Sequence, residues 1–341
     1  RDVRCIERAE VTFHSGTNLF CGANAQGKTS LLEAVSILLR LQSPRTRRLA
    51  DVLRRGARGL VVDGWFGAFH LQFYHSPERR KLAMDSVEQR TAARYLEVGR
   101  TVWFANSDIE LVRGGAEARR AFVDQLALQV APGYRDALRG YTHALRSRNR
   151  LLRLPRPPAD ELAAFDRPFL EYGARVAALR GEVLQKLGPD ATEAHGRIAR
   201  ASPLAFALVP AHPATLADAL RATRETERQA RQTLVGPHRD DLELLVDGHP
   251  AARFASEGQQ RSVVLAARLA QAALLARTSG CEPVLLIDDV FGELDTHRRA
   301  ALFEALPVHA QKLIATTRQD VLPRGRADAQ FQVVAGTIVP D

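Results

Sequence analysis

Residues 22–30 read Gly-Ala-Asn-Ala-Gln-Gly-Lys-Thr-Ser, two glycines, a lysine and a hydroxyl at the spacing that cradles a triphosphate. Gly22 and Gly27 allow backbone N–H groups to turn inward around phosphate oxygens, with Ala23, Asn24, Ala25 and Gln26 completing the loop. Lys28 can reach the β and γ oxygens, the Thr29 hydroxyl is a hard ligand for Mg²⁺, and Ser30 carries the turn into a helix. Far downstream, Val284-Leu285-Leu286-Ile287 runs into Asp288-Asp289. A fully buried strand ending in carboxylates sets one of them beside the metal. Asp288 is therefore expected in the Mg²⁺ shell with Thr29, and Asp289 is expected to orient the attacking water, which makes Asp289 and Lys28 the catalytic pair. The competing readings are a glycine turn that caps a helix and two aspartates that end a strand. No lysine stands in an Asn-Lys-x-Asp base-reading pattern, so ATP with Mg²⁺ is expected rather than guanine nucleotide. For the adenine ring the arginine-rich residues 43–48 are a candidate, against a solvated loop.

A third feature is Ser256-Glu257-Gly258-Gln259-Gln260, just ahead of a long amphipathic stretch. By itself it reads as a helix cap and first turn. Beside the two phosphate motifs it resembles the signature of ABC-type ATPases, whose helix start meets the γ-phosphate held by another subunit. Ser256 with the N–H groups of Gly258 and Gln259 makes a second anion site. One chain has no use for two, so the resemblance implies a homodimer in the ATP state. Asp295, in Gly292-Glu293-Leu294-Asp295, looks like the D-loop aspartate at such a seam, or else caps the helix that follows.

The elements needed to position these residues can be read from patterning. Alternation predicts a strand over 3–13, a buried strand over 18–21, and a helix from Lys28 to about Leu41. Residues 60–87 are strand-like, with turns at Asp63-Gly64 and at His75-Ser76-Pro77-Glu78, and predict an antiparallel sheet. From 108 to 231 the period is helical, broken at Ala131-Pro132-Gly133 and across 154–158. Strand text then returns at 242–246, with a turn at Asp247-Gly248, a helix over 258–277 and the strand 284–287. The expected division is a discontinuous first lobe, residues 1–107 and 232–341, interrupted by a helical arm over 108–231.

The chain has 341 residues, net charge +9 and sequence pI near 10.1, with Lys28, Lys81, Lys186 and Lys312 its only lysines. An arginine excess suits bidentate contacts to a polyanion such as nucleic acid, and a GC-rich genome leaves the same bias. Cys5, Cys21 and Cys281 are scattered, which points to neither a disulfide framework nor a zinc site and fits a cytoplasmic protein. No apolar run is long enough for a membrane span.

The segment from the phosphate loop to Asp288 is far longer than in transporter cassettes and lacks the long heptads of coiled-coil chromosome proteins. Ser107-Asp108-Ile109-Glu110-Leu111-Val112-Arg113-Gly114-Gly115 with Arg119-Arg120-Ala121-Phe122-Val123-Asp124 resembles the first signature of the RecF family of bacterial recombination-mediator ATPases. Leu286-Ile287-Asp288-Asp289 with Glu293-Leu294-Asp295 resembles the second, and Val235-Gly236-Pro237-His238-Arg239-Asp240-Asp241 is also similar to that family. Ser107 and Ala116 replace its usual prolines, and Gly292 its usual Ser or Ala. The resemblance covers essentially the whole chain. It implies an α/β fold, in which an ABC-type P-loop head with a mixed sheet and an antiparallel β subdomain carries an inserted helical arm and no long coiled coil. It also implies a slow, DNA-stimulated ATPase that closes as a dimer on double-stranded DNA near single-strand gaps. RecR and RecO would be its partners in loading the recombinase. Residues 106–108 stand where ABC-type proteins place a loop that couples nucleotide to the arm. Arg119, Arg120 and His238 are candidates for DNA contact, against salt bridges or solvent. The alternative reading is a cassette that powers a membrane transporter.

Overall fold

The computed structural model describes residues 1–46, 48–199, 203–212, 214–322 and 325–341. Along the chain come β1 (Thr17–Cys21), α1 (Lys28–Arg40), β2 (Leu60–Phe66), β3 (Phe69–His75), β4 (Arg80–Met84), β5 (Val87–Glu88), α2 (Ala93–Val98) and β6 (Thr101–Ala105). Next are α3 (Glu110–Arg113), α4 (Ala116–Val130), α5 (Tyr134–Leu152), α6 (Ala159–Ala199), β7 (Leu204–Val209), α7 (Leu216–Ala230), β8 (Asp241–Val246) and β9 (His249–Pro250). The remainder is α8 (Ala251–Phe254), α9 (Glu257–Ser279), β10 (Val284–Asp288), α10 (Thr296–Ala305), β11 (Lys312–Thr316), β12 (Ala329–Val334) and β13 (Thr337–Pro340).

Two compact units result, one from Arg1–Asp108 with Leu275–Asp341, the other from Ile109–Leu274. The sequence division instead placed 232–274 with the first lobe. Strand β8 explains the difference, because it pairs antiparallel with β7 from Leu204↔Val246 to Val209↔Asp241 and so packs with the helices. Strand β7 itself interrupts the stretch expected to be wholly helical.

The first unit is built on a six-stranded sheet in the order β13-β12-β1-β11-β10-β6, parallel except for the β12–β13 pair. Phe20, Leu32, Ile37, Phe73, Leu286 and Leu313 belong to one buried cluster, which joins this sheet to α1 and to the antiparallel sheet β2-β3-β4-β5. Two local expectations fail here. Residues 3–13 make only isolated bridges, Val3 to Ile6 and to Leu53, because Asp2 and Arg4 take left-handed backbone at φ 57° and 55° and turn the chain. Asp63-Gly64 lies inside β2, opposite Gln72 and Leu71, and the turn falls at Gly67-Ala68, with Gly67 at φ 58°. A Cβ on Gly64 would stand 3.5 Å from Leu38, an ordinary packing contact, so neither a turn nor crowding requires glycine at this position.

The second unit buries charge within its apolar core. Arg148, 2% exposed, donates to Asp166 at 2.9 Å, Glu227 at 3.0 Å and Thr233 at 2.7 Å. Arg180 donates to Asp124 at 2.8 Å and to the Pro237 carbonyl at 2.7 Å. His238 lies beside this network, with Nδ1 2.6 Å from the Tyr141 hydroxyl and Nε2 3.2 Å from the Thr233 carbonyl. A carbonyl only accepts, so Nε2 carries the proton and Nδ1 accepts from tyrosine, which describes a neutral ring. Burial depresses the imidazole from its ordinary 6.5 to about 4, against the opposing bond to Thr233. The unfolded chain binds this proton first, so stability is full above pH 6.5 and declines as pH falls towards about 4. We expect urea unfolding of the second unit to lose about 1–3 kcal/mol between about pH 7 and 4.5. His238→Gln, which keeps one donor and one acceptor, should flatten that slope, and an unchanged slope would assign it to other groups.

Candidate nucleotide site

Strand β1 ends at Cys21, and α1 begins at Lys28 with Gly27 as its cap at φ 112°. The loop between them needs its first glycine, since a Cβ on Gly22 would come within 2.3 Å of the Val333 carbonyl oxygen. Ala25 adopts φ 63°, a left-handed position that helps turn the amides inward. The β12–β13 turn clamps the loop from outside: Ala335 N donates to the Gln26 side-chain oxygen at 2.6 Å, and Gly336 N donates to the Gln26 carbonyl at 2.8 Å. Sequence reasoning missed this clamp; the glycine after an apolar alternation at 329–336 was its only trace.

Lys28 is buried, and its Nζ donates to the carbonyls of Gly22 at 2.7 Å and Ala23 at 2.8 Å. Burial lowers its pKa, and the charges of Asp289 and Asp288 partly restore it. Thr29 Oγ1 donates to Asp288 Oδ1 at 2.7 Å, across 259 residues of chain. Burial raises the Asp288 carboxyl, and the Thr29 bond pulls it back. Asp289 takes φ 55° and anchors its backbone at both ends, its N–H to the Ala315 carbonyl at 2.9 Å and its carbonyl accepting from Asn106 Nδ2 at 3.3 Å. Its Oδ1 is buried without a hydrogen-bond partner, which costs free energy unless something else fills it. Gly292 makes room here, since a Cβ on it would stand 3.3 Å from that oxygen. Thus Lys28, Thr29, Asp288 and Asp289 come together as expected, and Asn106 joins them.

The donor set fits Mg²⁺ with a triphosphate. Thr29 and Asp288 offer two hard oxygens already in contact, and Asp289 offers an unsatisfied one. Among the described residues no group of three His, Cys, Asp or Glu could hold a metal unaided. Residues 43–48 are tied to α1 through Ser43, whose hydroxyl donates to buried Glu33 at 2.5 Å; Arg47 lies outside the described residues.

In the second unit, Ser256 and Gln259 form a reciprocal cap at the start of α9. Ser256 N donates to Gln259 Oε1 at 2.7 Å, and Gln259 N to Ser256 Oγ at 3.4 Å. Gln260 braces the turn, donating to the Ala251 and Ala255 carbonyls and accepting from Arg113 at 2.7 Å. Ser256 and Gln259 remain exposed and Gly258 partly so. In the first unit, Asp295 caps α10, accepting from Arg298 N at 2.8 Å, the bond that most lowers its pKa. Arg119 grips Asp241 with two bonds of 2.7 and 2.8 Å, and Arg120 donates to the Asp240 carbonyl. These two arginines and His238 therefore have internal partners.

The AAA domain family matches residues 1–65, the stretch that carries the loop and α1. The DNA replication and repair protein RecF of Synechococcus sp. (strain JA-2-3B'a(2-13)) is 34% identical over 100% of this chain and 96% of its own length. That of Anaeromyxobacter sp. (strain Fw109-5) is 36% identical over 99% and 96%. A solved structure of the recombination mediator protein RecF with ATP, in the RecFOR pathway, has TM-score 0.91 and 26% identity over 100% of this chain and 95% of its own. An Smc head shares the fold more distantly, at TM-score 0.56 and 13% identity. No helix of the described residues is long and apolar enough to cross a membrane, and the transporter alternative gains no support from these relatives. With the whole chain matched and the nucleotide site built as the motifs require, this protein belongs to the RecF family of DNA replication and repair proteins, with that family's ABC-type ATPase fold.

Proposed function

We propose that the protein is a slow ATPase that dimerises around ATP and thereby clamps double-stranded DNA near single-strand gaps, helping RecO and RecR load the recombinase in the cytoplasm. The observation that supports this reading is the presence on one chain of a phosphate loop and of a second helix start that is capped and exposed at Ser256. A single bound nucleotide needs only the first. In functional terms residues 1–107 and 232–341 serve as the ATPase head and 108–231 as the arm, with DNA drawn by the net charge of +9.

In this reading Lys28 exchanges its bonds to Gly22 and Ala23 for phosphate oxygens, while Thr29 and Asp288 hold Mg²⁺, whose chemistry is to neutralise charge on the phosphates. Asp289 accepts a hydrogen bond from the attacking water on its unsatisfied oxygen and takes up its proton. Ser256, Gly258 and Gln259 of a second copy close on the terminal phosphate, with Asp295 at the seam. Binding that occurs only between closed copies stabilises the dimer by mass action, and hydrolysis removes that stabilisation.

Sedimentation of the chain without nucleotide, with ADP and with ATP plus Mg²⁺ tests this directly. A monomer that doubles its mass only with ATP is expected, with Lys28→Arg and Ser256→Arg remaining monomeric; a mass indifferent to ATP would sink the dimer reading. Asp289→Asn should slow turnover by about 10²–10⁴-fold and leave the ATP dimer standing, whereas normal turnover would remove Asp289 from its role. Affinity for duplex DNA should fall at least about tenfold between roughly 50 and 200 mM salt. A salt-independent affinity would show that phosphate contacts do not hold the complex.

A further inference from the structure

Helix α5 divides its surface in two. Ala137, Tyr141, Ala144, Arg148 and Leu151 are buried, and helical periodicity gathers them on one side of the cylinder. Arg135, Arg139, Arg146, Arg150 and Arg153 are exposed. At 3.6 residues per turn these five fall within about 60° of arc, directly opposite the buried side, and extend over about 27 Å of helix. Arg153 belongs to the row because its backbone stays helical at the C-cap, with φ −78° and ψ −15°.

The charge of this row is largely uncompensated. Asp136 is the only acid in α5, and it is bound to Arg139 at 2.9 Å. Among the described residues no ion pair engages Arg146, Arg150 or Arg153. The next acids along the chain, Asp160 and Glu161, stand in the first turn of α6, where they answer that helix's own positive end. Arg119, Arg148 and Arg180 differ, since their charges are spent on internal carboxylates. Arg146 and Arg150, four residues apart, repel each other on the free helix, and a polyanion laid along the row relieves that repulsion.

We infer that the outward face of α5 is a docking track for the phosphate backbone of duplex DNA, presented by a single copy of the chain without nucleotide. The inference rests on the DNA part of the function proposed above and not on the dimer. A straight, rigid row of guanidinium groups matches a stiff polyanion, and one strand of a duplex carries a phosphate about every 3.4 Å of axis. A single strand or an unfolded acidic segment would have to be straightened first, at a cost in conformational entropy. Guanidinium forks also suit phosphate oxygens. DNA held in this way is already on one copy when ATP brings the second.

Fluorescence anisotropy of a labelled blunt duplex with the full chain, without nucleotide and across a salt series, tests the inference. Arg146→Gln with Arg150→Gln should weaken binding at least about tenfold at low salt and lower the slope of log affinity against log salt by about 2, one phosphate contact for each arginine. Arg146→Lys with Arg150→Lys should keep the slope. Arg221→Gln with Arg228→Gln removes the same charge from exposed pairs on α7 and should leave binding close to wild type. Glutamine is as good a helix former as arginine, so the thermal midpoint should hold, as should sedimentation with ATP. Wild-type affinity and slope in the Arg146/Arg150 glutamine variant would overturn the inference, and so would an equal loss in the α7 variant, which would leave net charge alone as the cause. Poly-glutamate that displaces the duplex as well as unlabelled duplex does would give the face to an acidic protein segment instead. Wild type that binds duplex only with ATP overturns the track and leaves the clamp, whereas a mass indifferent to ATP together with the expected slope change overturns the clamp and leaves the track. Wild type that binds no duplex in either state overturns both.

Discussion

The bond from Thr29 to Asp288, 2.7 Å long, is the constraint on which the rest of the site depends. It exists because β1 and β10 lie parallel on either side of β11, with Cys21 opposite Thr316 and Asp288 opposite Ala315. Parallel strands deliver their carboxyl ends to one edge of the sheet, where open α/β folds bind ligands. Register matters as much as order, since a slip of one residue would turn Asp288 to the other face. Burial on both faces prevents that slip: Leu285, Leu286 and Ile287 are all inaccessible to solvent, as are Leu313, Ile314 and Ala315. An apolar strand that looks like mere core thereby holds a carboxylate within hydrogen-bond reach of a hydroxyl contributed far upstream.

The same sheet also sets how the loop waits for its ligand. With Lys28 donating to two loop carbonyls and Gln26 clamped by the β12–β13 turn, these groups of the loop already have partners. Phosphate binding is then an exchange of hydrogen bonds on a preformed cradle, which avoids the entropy of ordering a loose one. Asp289 is the exception. Its unpartnered Oδ1 and left-handed backbone form a local defect, and defects of this kind persist where the surroundings over-determine them. Anchors from Ala315 and Asn106 do that here.

The parts of the fold legible in the sequence were those whose signal is local and whose chemistry is unusual. The glycine-lysine loop, the apolar run into two aspartates and the serine cap before a long helix each announce themselves. Other parts were hidden because their logic is tertiary. Gly64 after Asp63 has the text of a hairpin turn, yet it pairs with Leu71 inside β2, and the turn comes at Gly67. Residues 3–13 alternate like a strand, but Arg4 is committed to Glu33 and the backbone turns to bring it there. Strand β7 sits between helical texts and is explained only by its partner β8, more than thirty residues away. Of the site itself, the first contacts could be read and residues 106–108 were marked by resemblance, whereas the Gln26 clamp and the pairing of Glu33 could not, since no spacing encodes a tertiary contact.

The arginine excess shows the same divide between composition and placement. Arg148 and Arg180 are 2% and 3% exposed and are spent on Asp166, Glu227 and Asp124 inside the second unit. Removing one member of such a pair strands the other charge, a loss of about 3–5 kcal/mol, even though the pair as a whole adds little net stability. Guanidinium suits this work because it keeps its charge when buried and offers five donors to several acceptors at once. Two arginines against three carboxylates sum to −1, so these buried groups supply none of the chain's excess positive charge. The net +9 therefore survives their subtraction and has to be carried by residues outside the buried pairs. Composition gives the size of the field that a polyanion would meet, while the buried network decides which arginines are excluded from producing it.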